Sequence, residues 1–456
     1  MFKLAVIGGG GVRSIFLAKS IAQYADKVGI GRLVFMDNDP EKLRIFGGMA
    51  KQAAHMLKPE LAFELTTDPV AAVRDADYVI TTIRVGGDAA RCRDEHAALD
   101  AGVLGQETTG AAGFSFAMRS VPALIGYCDL IRRYAKHDVR VFNFTNPVGI
   151  VSQALRDAGY DFTFGICDAP SGMLHQFAEL YHEDPSAVKG ELFGLNHLSW
   201  FSKISCQGRN IVPELLLSDE ARSKTDLRIF DRDLLSFIGL VPNEYLYYFY
   251  YRQKAVDNIL RVGKTRGDDI LEINTGMLKE LRELDPEKDF QKCLDIYTKW
   301  YGMRENRYMA TETGHKREKV WSFDIYSRSD GGYAGVALNY IRILQSGAPG
   351  EMILCVPNEG SLNFLEDKDT IEVTCDISDK GAVPHRFDNI PNATKELIRQ
   401  VKHYERIGAQ AILKKSRKLA IEALMAHPLV NAYDIASCLA GQYIANNECY
   451  TGEWSD

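Results

Sequence analysis

The chain has 456 residues, of which 46% are hydrophobic, 25% charged and 10% aromatic, and its formal net charge at neutral pH is −7. That balance excludes collagen-like, low-complexity and disordered chains and allows two domains or one domain with a large second lobe. A net acidic molecule has no reason to seek nucleic acid or an anionic membrane, although a local basic pocket for a small anion stays open.

No apolar run approaches the ~18–20 residues of a membrane span. The opening Met1-Phe2-Lys3-Leu4-Ala5-Val6-Ile7 runs straight into glycines, without the basic region, apolar core and cleavage site of a secretory signal. Nine cysteines (92, 128, 167, 206, 293, 355, 375, 438 and 449) are an odd and scattered set, unlike a disulfide scaffold. The expected home is a reducing cytoplasm, where a thiolate can serve as metal ligand or nucleophile.

Residues 3–7 predict a short strand, followed by Gly8 to Gly11 and a helix over Ser14–Tyr24. A second strand, Arg32–Met36, ends in Asp37, and Asp39-Pro40-Glu41 has the form of a helix start. Strand Tyr78–Ile83, helix Met118–Tyr134, strand Val139–Phe144 and a helix from Val148 follow. Apolar strands alternating with helices predict a parallel sheet covered on both faces. Near residue 170 the rhythm changes. Helical stretches at 271–284, 288–302 and 331–346, strands Met352–Val356 and Ile371–Cys375, and a helical end from Thr394 to Ala445 read as an α+β lobe. The expected fold is therefore α/β, a Rossmann-like domain over 1–170 with a second α+β domain over 171–456 for catalysis, substrate and oligomerisation.

A strand entering four glycines lets a pyrophosphate approach backbone amides at a helix N-terminus. Gly8, Gly10 and Gly11 are the candidate phosphate-loop residues, with Ser14 where a third small residue would stand. Asp37, at the end of the second strand, can accept both ribose hydroxyls and would repel a 2′-phosphate, so NAD is expected over NADP. Further polar clusters fall where strands should end. Arg84, beside Gly86 and Gly87, and Arg91 could clamp a carboxylate or phosphate, or be solvated surface arginines. Asn143-Phe144-Thr145-Asn146-Pro147 could turn toward a nicotinamide or be a plain turn. Cys167-Asp168 and Asn196-His197, thirty positions apart, follow no metal-site spacing rule.

Taken together, these segments resemble glycoside hydrolase family 4, the NAD- and divalent-metal-dependent glycosidases. The resemblance runs through the glycine turn, Arg84-Val85-Gly86, Gly105-Gln106-Glu107-Thr108-Thr109-Gly110, Asn143–Val148, Gly165-Ile166-Cys167-Asp168-Ala169-Pro170, Gly194-Leu195-Asn196-His197 and Pro242-Asn243-Glu244-Tyr245-Leu246-Tyr247-Tyr248. It implies a nucleotide-binding fold like that of lactate and malate dehydrogenases, with NAD as cofactor and a divalent metal, manganese, on Cys167 and His197. Tyr245 is implied as catalytic base and Asp168 as an acid toward the leaving group. Asn146 serves cofactor and sugar, Asn196 positions sugar hydroxyls, and Arg84 and Arg91 take the phosphate; Glu107 has no role assigned.

The implied chemistry departs from the two-carboxylate scheme of ordinary glycosidases. Hydride leaves carbon 3 of the sugar for NAD, the carbon 2 hydrogen becomes acidic, and the aglycone departs by elimination. Water then adds and the hydride returns. Asp168 after the cysteine favours 6-phospho-α-glucosides, whereas the Tyr245–Phe249 segment and Gln106–Gly110 look closer to 6-phospho-β members, so a 6-phospho-β-glucosidase is the favoured reading. Gly11-Val12-Arg13-Ser14 departs from the Ser-Ser-Tyr-Thr common among phospho-glucosidases and leaves a non-phosphorylated substrate open. A 2-hydroxyacid dehydrogenase and a non-catalytic NAD-binding regulator are the rivals. The resemblance further implies a homodimer or homotetramer acting on a small sugar, without nucleic-acid or membrane partners.

Overall fold

The computed structural model describes residues 1–316, 320–328 and 332–456. Six strands form a parallel sheet: β1 (Phe2–Ile7), β2 (Ile30–Met36), β3 (Ala62–Thr66), β4 (Tyr78–Thr81), β5 (Arg140–Asn143) and β6 (Thr163–Gly165). They lie in the order β3-β2-β1-β4-β5-β6, the doubly wound arrangement of dinucleotide-binding folds. Alternation sorts their side chains onto two dry faces. Leu4, Val6, Phe35, Ile80 and Phe142 join one apolar cluster, and Ala5, Ile7, Val34, Val79 and Val141 another. Each of these side chains larger than alanine, fully buried, contributes about 1.5–3 kcal/mol.

The helices begin and end where local chemistry dictates. Pro40 follows Asp39, whose carboxylate accepts from the backbone N–H groups of Glu41 and Lys42. The helix Ser14–Val28 closes on Gly29 in the left-handed conformation. Helix Ala111–Tyr134 starts seven residues before the expected Met118, because Ala111–Ala117 are buried under the second half of the chain instead of lying in a surface loop.

The second half does not build a sheet of its own from its last strands. The strands β7 (Lys189–Leu195), β8 (Leu198–Cys206), β9 (Arg209–Asn210) and β10 (Val241–Pro242) make a small antiparallel sheet. In contrast β11 (Gly350–Pro357), β12 (Thr370–Ser378) and β13 (Gly381–Pro384) extend the large sheet to nine strands, with β11 antiparallel on β6 through Cys355 and Gly165. Helices Arg266–Leu281 and Phe290–Asn306 pack Ile273, Met277, Tyr297 and Tyr301 against Ile15, Phe46 and Met49. That third apolar cluster fixes the second half beside the glycine turn. The helix expected over 331–346 is seen as Gly332–Ser346; residue 331 lies outside the described residues.

Candidate active site

The sheet order reverses between β1 and β4, and the polar segments singled out in the sequence gather there, at the carboxyl ends of β1, β4, β5 and β6. Two cavities adjoin. One, of about 520 Å³, contains Gly8, Gly10, Gly11 and Asp37. The other, of about 350 Å³, contains Cys167, Asp168, His197 and Tyr245. Arg13, Arg84, Phe144, Asn146 and Arg304 border both.

In the first cavity Gly8 sits at φ +103°, and a Cβ there would come within 2.3 Å of the Thr82 carbonyl oxygen. Asp37 Oδ2 accepts from Gly10 N at 2.9 Å and Oδ1 from Asp39 N at 3.0 Å, which pins the turn to the end of β2. Burial raises the Asp37 carboxyl despite those two N–H donors. Ser14 replaces a third glycine because its hydroxyl donates to the Gly9 carbonyl at 2.7 Å. A side chain unforeseen from the sequence, Tyr450, joins this wall from the C-terminal helix Tyr433–Thr451. The helix is held there by Asn447, which donates to Ser115 Oγ at 2.8 Å and accepts from Arg119 at 2.6 Å. These features suit a dinucleotide: a tight glycine turn, an acid at the ribose position and an open apolar-and-polar cleft.

In the second cavity Cys167 Sγ and His197 Nε2 are 3.7 Å apart. Cys167 begins the turn between β6 and the helix Ala169–Leu180, and His197 occupies the two-residue loop that joins β7 to β8 after the pair Leu195–Leu198. The other imidazole nitrogen, Nδ1, meets Thr108 Oγ1 at 3.2 Å, and that hydroxyl itself donates to Gln106 Oε1 at 3.0 Å. A hydroxyl whose proton is engaged elsewhere must accept here, so Nδ1 carries the hydrogen and Nε2 turns a lone pair toward the cysteine. Burial pushes the imidazole down to about 3 and, with Glu372 and Asp168, pushes the thiol well above its ordinary range. A soft sulfur beside a neutral imidazole nitrogen is a donor set for a divalent transition metal.

The Tyr245 ring stacks on His197 with centroids 3.7 Å apart and planes 1° apart. Its hydroxyl lies 3.2 Å from that of Tyr308, which donates to Glu244 Oε1 at 2.6 Å. Burial, with Glu244 next, pushes the Tyr245 phenol well above its usual value. Asn146 Oδ1, where the cavities meet, is buried with no hydrogen-bond partner among the described residues. The peptide bond it forms with Pro147 is cis.

Arg84 and Arg91 do converge, but on Glu107. Arg84 pairs with one carboxylate oxygen, and Arg91 Nη1 lies 3.1 Å from the other. Burial alone would raise Glu107, yet the two guanidiniums outweigh it and hold the carboxyl well below the usual carboxylate range. Arg91 is buried and also bonds Glu95 at 2.8 Å. Asn196 lies outside the second cavity's lining, and its amide donates to Glu372 at 2.9 Å. Asp168 lines the cavity 3.6 Å from Arg13. Three arginines without an assigned role in the sequence, Arg13, Arg266 and Arg304, face the same space. Arg266, whose Nη1 is buried without a partner among the described residues, is pushed down to about 10 by burial and by Arg304 and Arg91. Thr108 and Glu244 stood inside recognised segments without a role, and Tyr308 and Arg304 carried no local signal at all.

Residues 3–183 match the model of the family 4 glycosyl hydrolases, and residues 192–430 match the family 4 glycosyl hydrolase C-terminal domain. The chain belongs to glycosyl hydrolase family 4. Among curated family members, the 6-phospho-beta-glucosidase BglT of Thermotoga maritima is 27% identical over 453 residues, covering 98% of this chain and 99% of the relative. The phospho-alpha-glucosidase PagL of Clostridium acetobutylicum is 25% identical and covers 99% of both chains. The solved T. maritima 6-phospho-beta-glucosidase with manganese, NAD+ and glucose-6-phosphate superimposes with a TM-score of 0.82 at 26% identity, over 99% of this chain and 100% of the other. A malate dehydrogenase from Salinibacter ruber shares the fold at a TM-score of 0.52 and 11% identity, over 90% of this chain and 98% of that one. The expected dehydrogenase-like nucleotide fold, a second α+β domain and the family assignment hold, while the small antiparallel sheet of that second domain was not expected.

Proposed function

We propose that this chain is a 6-phospho-glucosidase, with β-glucosides preferred, that uses NAD and a divalent cation, manganese, in the cytoplasm. The observation that carries the reading is the junction of the two cavities: a dinucleotide cleft opens past Asn146 onto a paired thiol and imidazole with a tyrosine stacked beside them. The relatives named 6-phospho-beta-glucosidase, one of them holding manganese, NAD+ and glucose-6-phosphate, support the same reading. Cys167 and His197 would hold the metal, and the turn from Gly8 to Gly11 with Asp37 would hold the dinucleotide. When bound, NAD supplies a reversible hydride acceptor for carbon 3 of the sugar, and the metal a Lewis acid beside carbons 2 and 3.

The chain's own groups divide the remaining work. Asn146, whose carbonyl oxygen has no hydrogen-bond partner among the described residues, orients a hydroxyl or amide donor at the junction. Tyr245 takes the carbon 2 proton once a bound cation lowers its phenol into range, since unaided burial holds it too high. Tyr308 and Glu244 lie in line behind it and can carry that proton off. Asp168 serves the leaving group, and Arg84 and Arg91 the phosphate side, joined by Arg13, Arg266 and Arg304. Tyr248, Ile270 and Met309, all buried, exclude bulk water from their side of the cavity while the sugar is oxidised. A thiolate ligand needs a reducing compartment, which agrees with the free state of all nine cysteines.

The test is a panel of nitrophenyl α- and β-glycosides, with and without 6-phosphate, assayed with NAD, manganese and a reductant. Hydrolysis of the 6-phospho-β-glucoside without net NADH is expected, as is no NADH from malate or lactate. Steady NADH production from a hydroxy acid, or hydrolysis indifferent to NAD and manganese, overturns the proposal.

A further inference from the structure

We infer that Glu372 is a positioning residue for the metal-binding pair, acting from a strand of the large sheet on the loop that carries His197. The inference rests on the reading of Cys167 and His197 as metal ligands. His197 adopts φ +63°, a left-handed conformation that is uncommon for any residue but glycine. A residue in that state persists only where its surroundings over-determine it. Thr108 and Tyr245 hold the ring, and one carboxylate holds the loop that carries it. Glu372, in β12 and 1% exposed, accepts from Asn196 Nδ2 through Oε1 and from Ser199 Oγ through Oε2, both at 2.9 Å.

The two donors bracket His197 in sequence, so one planar group fixes the loop from both sides. His197 Nε2, carried by this loop, lies 3.7 Å from the Cys167 sulfur, so fixing the loop fixes the spacing of the pair. Two positions along, on the same face of β12, Thr374 Oγ1 accepts from Leu192 N and donates to Gly190 O, each at 2.9 Å. The hairpin is thereby anchored to the sheet at its base as well as at its tip. A carboxylate this deep costs more to desolvate than an apolar side chain of the same size. Holding an imidazole nitrogen in place against a thiol is the return for that cost.

The experiment is a manganese titration of the full-length protein, followed by the electron paramagnetic resonance signal of the free ion, with NAD affinity measured in parallel. Glu372→Ala is expected to weaken manganese binding about 10-fold or more, as loss of the groups behind a metal ligand does, with NAD affinity within about twofold of the parent. Glu372→Gln can accept from Asn196 and donate to Ser199, and is expected to restore manganese affinity to within about threefold. Parental manganese affinity in Glu372→Ala, or equal loss in the alanine and glutamine variants, overturns the positioning role. If Glu372→Ala does not fold, the Asn196→Ala/Ser199→Ala variant removes the same bonds from the loop side, and parental manganese affinity there overturns it equally. A parental protein that binds no manganese overturns the metal reading itself, a result distinct from the others.

Discussion

Replacing Glu107 by glutamine probes the ion cluster at the mouth of the site, and its cost can be worked from the contacts. The carboxylate is shared by Arg84 and by Arg91, whose Nη1 lies 3.1 Å from it. Removing one charge from a buried pair costs about 3–5 kcal/mol, because the partner is left uncompensated. The low end applies here. Arg91 is 5% exposed but keeps Glu95 at 2.8 Å, and Arg84 is a third exposed, so its share is discounted for solvent screening. About 3 kcal/mol in a chain of this length lowers the melting temperature by about 3 °C at neutral pH, read by calorimetry at fixed scan rate.

The pH dependence gives a second handle on the same variant. The folded-state value for Glu107 is depressed, so its stabilisation is present above the unfolded carboxyl value, about 4.5, and is lost as pH falls below it. The gap between parent and Glu107→Gln should therefore shrink between about pH 4.5 and pH 3. A melting-temperature difference below about 1 °C at pH 7, or one that widens on acidification, refutes the ion-pair account.

Tyr245→Phe should reduce kcat by about 10²–10⁴-fold in hydrolysis of a nitrophenyl 6-phospho-β-glucoside while manganese and NAD affinities stay within about threefold; unchanged turnover removes the base assignment. Cys167→Ser and His197→Ala should each abolish manganese binding and turnover yet leave NAD binding largely intact, and metal-dependent activity retained in both would discard the ligand pair. Thr108→Val, which strips the acceptor from His197 Nδ1, should weaken manganese about tenfold by the same titration, and no change would show that the tautomer needs no anchor. Manganese affinity should rise with pH, by up to about tenfold per unit between pH 6 and pH 8, because the raised Cys167 thiol must lose its proton to bind; a flat or falling profile contradicts a thiolate ligand.

Local and short-range signals account for what could be read early. Hydrophobic runs bounded by glycine, proline and aspartate marked β1, β2, β4 and β5 because fully buried parallel strands are apolar along their whole length. The glycine turn and Asp37 were legible because a close backbone approach tolerates no side chain, and that demand leaves a sequence trace. Strand β3 and the β7–β8 hairpin were missed. Ala62–Thr66 alternates exposure at a sheet edge, and Lys189–Cys206 mixes charged and apolar residues without a sharp turn pair.

Sequence alone therefore determined the parallel-sheet half with its glycine turn, the acid at the end of β2 and, through a family resemblance, the cysteine, histidine and tyrosine of the second cavity. Only the tertiary structure decided that Arg84 and Arg91 converge on Glu107, that Tyr450 arrives from the far end of the chain, and that Glu372 clamps a loop some 175 positions before it. The physical reason is reach. Backbone geometry and burial periodicity act over a few neighbours and are written in local pattern. A buried hydrogen bond or ion pair is chosen by which strands meet, and it leaves no mark at either residue until the sheet brings them together.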